Sequence, residues 1–302
     1  MPLLVTGSIG IDSVKTPLGE SINCIGGSAV YFSMAASYLT PVRFVGVVGA
    51  DCPFNLQEVF AGRDVDLAGL EIRPQSRTFR WKGSYVGAME EAITDDVQLN
   101  VLQERPPMVP EAFRDSRIVF LANTAPALQM ELLSQIAEPE FVAADTMNCW
   151  IEGRRDDLMK LLQKIDALVL NTGEAKLLTG DFNPVRSARK ILAMGPKFVI
   201  IKKGEFGSMI ADRAGDCFIL PGYPVEDVKD PTGAGDSFAG GMMGYIGRNR
   251  GAVTLQMLKT AVAYGTVLAS FTIEDFSLGR LSSVTKQDID SRFEILKRVT
   301  QL

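Results

Sequence analysis

Continuous apolar runs rich in β-branched residues recur along the chain: LLVTG at 3–7, RFVGVVG at 43–49, RIVFLA at 117–122, EFVAAD at 140–145, ALVLN at 167–171 and KFVIIKKG at 197–204. Most lack polar alternation, as expected for strands covered on both faces. Between them lie segments with helical spacing, such as SAVYFSMAASYL after Gly27, LQMELLSQI at 128–136 and RRDDLMKLLQKI at 154–165. In the last of these Leu158, Leu161, Leu162 and Ile165 make an i, i+3, i+4, i+7 stripe over a charged face. This alternation predicts an α/β fold with a mostly parallel central sheet flanked by helices. Sheets of that kind hold their ligands at the carboxyl ends of the strands.

Two stretches break the rhythm. RTFRWKGSYVGAMEEAITDDVQLNVL at 77–102 shows short alternating runs, and VKTPLGESINC at 14–24 is polar. Together they are expected to form a small separate sheet; the alternative is a pair of long surface loops. From Gly233 onward the pattern is predominantly helical. There is no internal repeat and no low-complexity linker, so residues 1–302 are read as one domain with the small sheet inserted in it.

Composition narrows the chemistry. The chain is 46% apolar and 22% charged, with net charge −5 and a pI near 5.1. No basic run is present, which argues against nucleic acid or a membrane surface as partner and leaves room for a local pocket that binds a small anion. Apolar stretches are interrupted well short of the roughly 20 residues a membrane helix requires, and MPLLVTGSIGID lacks a basic leader region. A cytoplasmic protein is expected. Cys24, Cys52, Cys149 and Cys217 are scattered without a C-x-x-C pair, and read as reduced thiols. Histidine is absent altogether, which excludes Ser-His-Asp and Cys-His catalysis and any His-bearing zinc site. Proton transfer near neutral pH falls to Asp, Glu, Lys, Tyr, Cys or water.

DPTGAGDSFAGG, Asp230 to Gly241, concentrates glycines and carboxylates just before a small-residue and apolar segment that suits a buried helix. Glycines there let several backbone N–H groups converge on one point, and the start of a helix favours an anion. Asp236 among those donors makes sense if it faces an attacking hydroxyl while the amides of Gly233, Ala234 and Gly235 stabilise a transferring phosphoryl group. The alternative is that Asp236 is an ordinary helix cap and the glycines serve packing alone. No G-x-x-x-x-G-K-[ST] occurs, so a P-loop is not supported. Gly233-Ala234-Gly235 could also begin a dinucleotide fingerprint, but its sixth position is Phe238 and DVKDPT is a poor buried strand.

With these residues in view, the sequence resembles the ribokinase-like, or PfkB, family of carbohydrate and nucleoside kinases. DPTGAGDSFAGG is similar to the family's carboxyl-terminal signature. GSIGID at 7–12, CIGGSAVYFSMAASYL at 24–39 and VGVVGAD at 45–51 resemble its amino-terminal signature, and NTGE at 171–174 its N-x-x-E motif. The resemblance implies a ribokinase-like three-layer fold with a small β-sheet lid, to which the 14–24 and 77–102 segments would belong. It implies Asp236 as the catalytic base and the Gly233, Ala234 and Gly235 amides as the anion hole. Asp12, Gly26 and Gly27 would hold the acceptor's hydroxyls, with Tyr31 beside them. Asn171 and Glu174 would orient Mg²⁺, its waters and ATP, the expected phosphoryl donor. Lys203, Gly204, Thr232 and Gly265 are the implied nucleotide-side residues, with Ala263 and Val267 on the same helix as Gly265. Asp230 and Thr232 match positions that in some members help bind a monovalent cation such as K⁺.

Several positions depart from the family pattern. Tyr31 stands where Asn is frequent, Lys202 where a small hydroxyl residue is common, Thr172 where the second position of N-x-x-E is often an acid, and ADTMNCW at 144–150 matches the D-x-N stretch only loosely. The chemistry therefore points to transfer onto a hydroxymethyl hydroxyl of a sugar or of a ribose-bearing nucleoside, leaning to the nucleoside. Tyr31, Phe79, Trp81 and Tyr85 are the candidate slot for its base, or else the lid's own core. The alternatives are a kinase strictly for free monosaccharides and a catalytically silent binding protein. An exposed lid edge would suit a homodimer.

Overall fold

Along the first strand, Leu3–Thr6 (β1), Leu3 and Val5 enter one apolar core while Leu4 enters another on the opposite face. The same division recurs across the sheet, with Phe120, Val169 and Ile200 on one side and Val119, Leu168 and Val199 on the other. Successive side chains of a strand point to opposite faces, so continuous apolar text is what a sheet sandwiched between helices requires. The computed structural model describes residues 2–89, 91–249 and 251–301. Glu90, within the 77–102 stretch, lies outside them.

The remaining strands are Gly10–Thr16 (β2), Gly19–Gly26 (β3), Val42–Gly49 (β4), Val65–Arg73 (β5), Phe79–Ser84 (β6), Ile93–Gln98 (β7), Ile118–Leu121 (β8), Phe141–Asp145 (β9), Ala167–Asn171 (β10), Phe198–Lys202 (β11), Ser208–Asp212 (β12) and Cys217–Leu220 (β13). Eight of them join β1 in one sheet, in the order β13-β12-β11-β10-β9-β8-β1-β4-β5. All its pairings are parallel except β11 with β12 and β12 with β13. The other four make a second sheet, β3-β2-β6-β7, in which only β2 and β6 run parallel. The polar 14–24 stretch lies on β2 and β3. The 77–102 stretch lies on β6, β7 and the 3₁₀ turn Asn100–Gln103. β5, β12 and β13 lie outside the apolar runs read from the sequence. β5 and β13 take the two edges of the large sheet, where burial is incomplete and the apolar signal is diluted, while β12, inside β13, is buried but has only Met209, Ile210 and Ala211 between polar ends.

The helices Ser28–Ala36, Ala234–Arg248 and Leu255–Thr272 pack together on one face. Three glycines of Ala234–Arg248 make this approach close. A Cβ at Gly241 would meet Tyr264 O at 2.7 Å, one at Gly244 would meet Ala36 at 3.1 Å, and one at Gly240 would strike the backbone of Phe32. Phe32 in turn stacks on Phe120 of β8 with ring centroids 4.6 Å apart. This packing anchors the helix that begins at the glycine loop and aims its amino terminus at the carboxyl ends of the parallel strands.

Candidate active site

Three parallel strands end on polar side chains at the same edge of the sheet. β9 ends at Asp145, β10 at Asn171 and β11 at Lys202, and Asn171 and Lys202 are register partners across β10 and β11. The chain leaves β10 directly into the helix Thr172–Thr179, and NTGE forms its cap. Asn171 Oδ1 accepts from the Glu174 N–H at 2.8 Å, while Glu174 Oε2 accepts from the Asn171 N–H at 2.7 Å. This reciprocal box satisfies two backbone donors and fixes Glu174 beside Lys202, whose carbonyl accepts from Thr172 Oγ1 at 3.2 Å. Burial raises the Glu174 pKa, and Lys202 and the Asn171 N–H pull it back.

The glycine loop arrives from the other side. The Thr232 N–H donates to Asp230 Oδ1 at 2.9 Å, closing the turn. Gly233 then caps the helix Ala234–Arg248 with φ 75°, a left-handed conformation suited to glycine. Its Cα lies against the Tyr31 ring, which leaves no room for a side chain. The Ala234 N–H donates to the Pro231 carbonyl at 3.2 Å, so of the three amides expected to form the anion hole this one is engaged in the turn. Among the described residues the N–H groups of Gly233, Gly235 and Asp236 meet no acceptor. Asp236 sits in the first helical turn but makes no capping bond, so an ordinary cap does not describe it. Its pKa is raised to about 6, chiefly by desolvation, with Lys202 lowering it and Glu174 raising it further.

Asp12, on β2 of the small sheet, closes the third side. It is 4% exposed, and its Oδ1 has no partner among the described residues. A Cβ at Gly26 would collide with this carboxylate, and one at Gly27 would meet the Gly10 N at 2.7 Å, so both glycines are required by close approach. Burial lifts Asp12 to about 7, the charge of Asp236 adds to this, and the Gly27 N–H offsets part of it. Asp12, on a strand of the small sheet, and Asp236, in the first turn of the helix Ala234–Arg248, therefore lie near enough to sense each other's charge.

The other sequence-derived positions divide. Thr232 Oγ1 donates to Tyr85 Oη at 3.3 Å, linking the glycine loop to the small sheet. Tyr31 is fully buried and its hydroxyl has no partner among the described residues. Lys203 and Gly204 form the turn after β11, with Gly204 at φ 58° and the Lys203 N–H donating to the Gly207 carbonyl at 2.7 Å. Gly265 packs on the neighbouring helix, where a Cβ would stand 2.5 Å from Phe238 O, and Val267 is in the core. Both are held by helix packing, and Ala263 is half-buried on the same helix. Trp81 lies over Gly83 and donates from Nε1 to Thr94 at 3.2 Å, so it serves the small sheet itself. Two residues of the site were given no role by the sequence reading. Asp145 is 5% exposed, its Oδ1 has no partner among the described residues, and desolvation together with Asp236 raises its pKa well above the ordinary carboxylate range. Lys202 was singled out only as a departure. The usable signal for both was a charged residue ending a continuous apolar strand.

The model for the pfkB family carbohydrate kinases matches residues 23–285. The chain belongs to the pfkB family of carbohydrate kinases. It is accordingly a phosphotransferase with a hydroxyl group as acceptor, on a ribokinase-like fold. A cytidine kinase of Thermococcus kodakarensis is 27% identical over 257 residues, covering 83% of this chain and 90% of that protein. The Burkholderia thailandensis nucleoside kinase, solved in complex with inosine, superposes with a TM-score of 0.75 at 21% identity, covering 97% of this chain and 98% of that one. An E. coli protein designated ribokinase II, solved with ATP and Mg²⁺, superposes with a TM-score of 0.76 at 18% identity, covering 97% and 99% of the two chains. Among the described residues of this pfkB family member, no helix is long and apolar enough to cross a membrane.

Proposed function

We propose that this kinase transfers the γ-phosphoryl group of ATP to the hydroxymethyl hydroxyl of a ribose-bearing nucleoside. The observation that carries the reading is a glycine loop packed on Tyr31, whose Gly233, Gly235 and Asp236 amides have no acceptor among the described residues, with two carboxylates, Asp12 and Asp236, close enough for the charge of Asp236 to raise the pKa of Asp12. Asp12, with an unpartnered oxygen beside Gly26 and Gly27, is matched to a vicinal diol, because one carboxylate accepts two hydrogen bonds. That contact would hold the ribose 2′- and 3′-hydroxyls and leave the 5′-hydroxyl to Asp236. Asp236 takes the proton of that hydroxyl as its oxygen attacks, and the loop amides hold the charge on the moving phosphoryl group. The names of the cytidine kinase and the inosine-bound relative favour a nucleoside over a free sugar. Phe79, half-buried on β6 within 3.1 Å of a Cβ built at Gly10, is the aromatic side chain left for the base.

The donor set suits Mg²⁺, which prefers hard oxygen ligands. Glu174 has one carboxylate oxygen outside the helix cap, and the buried Asp145 Oδ1 lacks a partner among the described residues. Glu174 would hold the ion through water, with Asn171 fixing its orientation. Bound there, Mg²⁺ supplies charge neutralisation of the triphosphate. Asp230, 1% exposed and with Oδ2 lacking a partner among the described residues, is assigned to a monovalent cation such as K⁺, and Lys203, Gly204 and Thr232 to the nucleotide side. The four-stranded sheet acts as a lid on a single domain. Its exposed Leu18, Ile22, Ile93 and Val97 suit pairing with a second copy. A cytoplasmic setting fits the reduced cysteines.

The test is phosphate transfer from Mg-ATP to cytidine, adenosine, inosine, ribose, fructose and inositols, with Asp236→Asn as control. Transfer to nucleosides alone is expected. Transfer to free sugars alone would overturn the nucleoside assignment, and full activity in the control would overturn the role of Asp236.

A further inference from the structure

The end of β11 places a cation where a helix amino terminus already carries partial positive charge. A Cβ at Gly235 would stand 2.5 Å from Lys202 Nζ, so the ammonium lies directly on the second residue of the helix Ala234–Arg248. A cation at that end of a helix is unfavourable by itself, because the free N–H groups and the helix dipole repel it. Nor does a tight ion pair hold it there. Lys202 Nζ makes no salt bridge and no hydrogen bond among the described residues, although Asp145, Glu174 and Asp236 all lie near enough to feel its charge. Asp145 Oδ1, buried on the adjoining strand end and without a partner among the described residues, is an acceptor and belongs to the cation side of the site, so Lys202 is the side-chain cation that faces an anion there. An ammonium and three free amides converging without an acceptor describe a cradle for an anion with several oxygens.

We propose that Lys202 is a catalytic residue whose ammonium binds the oxygens of the phosphoryl group during transfer, completing the cradle formed by the Gly233, Gly235 and Asp236 amides. The inference rests on the phosphoryl-transfer reading of the glycine loop. In the step itself the acceptor oxygen bonds to phosphorus as the bond from phosphorus to the bridging oxygen of ADP breaks. The acceptor proton passes to Asp236, ADP leaves with the electron pair, and Lys202 keeps its protons throughout. The ammonium is worth most when charge spreads over the oxygens in flight, so its removal should appear in kcat.

Lys202→Met keeps the stem and removes the charge, and Lys202→Arg keeps the charge. Steady-state kinetics with the accepted substrate, ADP binding by calorimetry and thermal unfolding are compared for wild type and both variants. The expected result is a kcat lowered about 10²-fold in Lys202→Met, with ADP affinity, acceptor KM and Tm unchanged and with partial rescue in Lys202→Arg. Full activity in Lys202→Met while Asp236→Asn is inactive would overturn this proposal and leave the glycine-loop reading standing. A loss of Tm, ADP binding and acceptor binding together would also overturn it, by making Lys202 a counter-charge for the buried carboxylates. Activity in Asp236→Asn would instead remove the reading on which both rest.

Discussion

Glu174 and Asn171 each satisfy the other's backbone: Oε2 of Glu174 accepts from the Asn171 N–H at 2.7 Å, and Oδ1 of Asn171 accepts from the Glu174 N–H at 2.8 Å. One half of the Glu174 carboxylate is therefore structural and the other half is free for a ligand. A glutamine can still accept from the Asn171 N–H but carries no charge. Glu174→Gln should keep the wild-type melting temperature while raising the Mg²⁺ concentration needed for half-maximal rate. Glu174→Ala should show the same Mg²⁺ defect and lose about 1 kcal/mol of stability with the cap. Equal Mg²⁺ curves for wild type and Glu174→Gln would confine Glu174 to capping.

A base must be ionised to accept a proton, and Asp236 is raised to about 6 by burial and Glu174 against the opposing effect of Lys202. The value of kcat/KM should rise with pH through about 6 and level off above it. Asp236→Asn should reduce turnover by about 10² to 10⁴ and retain ATP binding. A profile without an acid limb would detach Asp236 from the rate.

For Asp12 the same physics sets stability against function. Its pKa is 3.8 in the free state and about 7 in the fold, because desolvation and Asp236 disfavour the charge. The folded protein thus holds a proton that the unfolded chain releases. The stabilisation from that proton is complete below about pH 3.8 and is lost as pH rises through about 7. Asp12→Asn, neutral at every pH, should melt higher than wild type above neutrality and fail to bind the acceptor. An unchanged Tm at alkaline pH would show that Asp12 is not strained by its burial.

Tyr85 ties the lid to the glycine loop through Thr232 Oγ1 at 3.3 Å, and its burial pushes the phenol up to about 12, so it stays neutral at working pH. Removing the hydroxyl should cost the closed arrangement about 1 kcal/mol. In Tyr85→Phe, amide exchange along Phe79–Ser84 and Ile93–Gln98 should quicken, and the slowing produced by bound substrates should shrink. Exchange identical to wild type would mean that other contacts hold the lid.

The strands β1, β4, β8, β9, β10 and β11 were legible because burial on both faces leaves uninterrupted apolar text, and the glycine loop because few folds need such bare backbone beside a carboxylate. β5 and β13 were not, since edge positions relax the demand for apolar residues, and β12 was not, since its apolar run is only Met209, Ile210 and Ala211. The sequence by itself determined the strand and helix alternation, the absence of histidine chemistry, and the order of the motifs. Only the tertiary structure decided that the Ala234 amide is engaged, that Gly265 and Val267 are held in packing, and that Asp145 and Lys202 stand beside Asp236. Which strand ends share an edge follows from sheet order and register, set by packing between segments far apart in the chain. Local pattern carries no trace of that distance, so the charge of Lys202 on Gly235 becomes visible only when the strand and the helix are brought together.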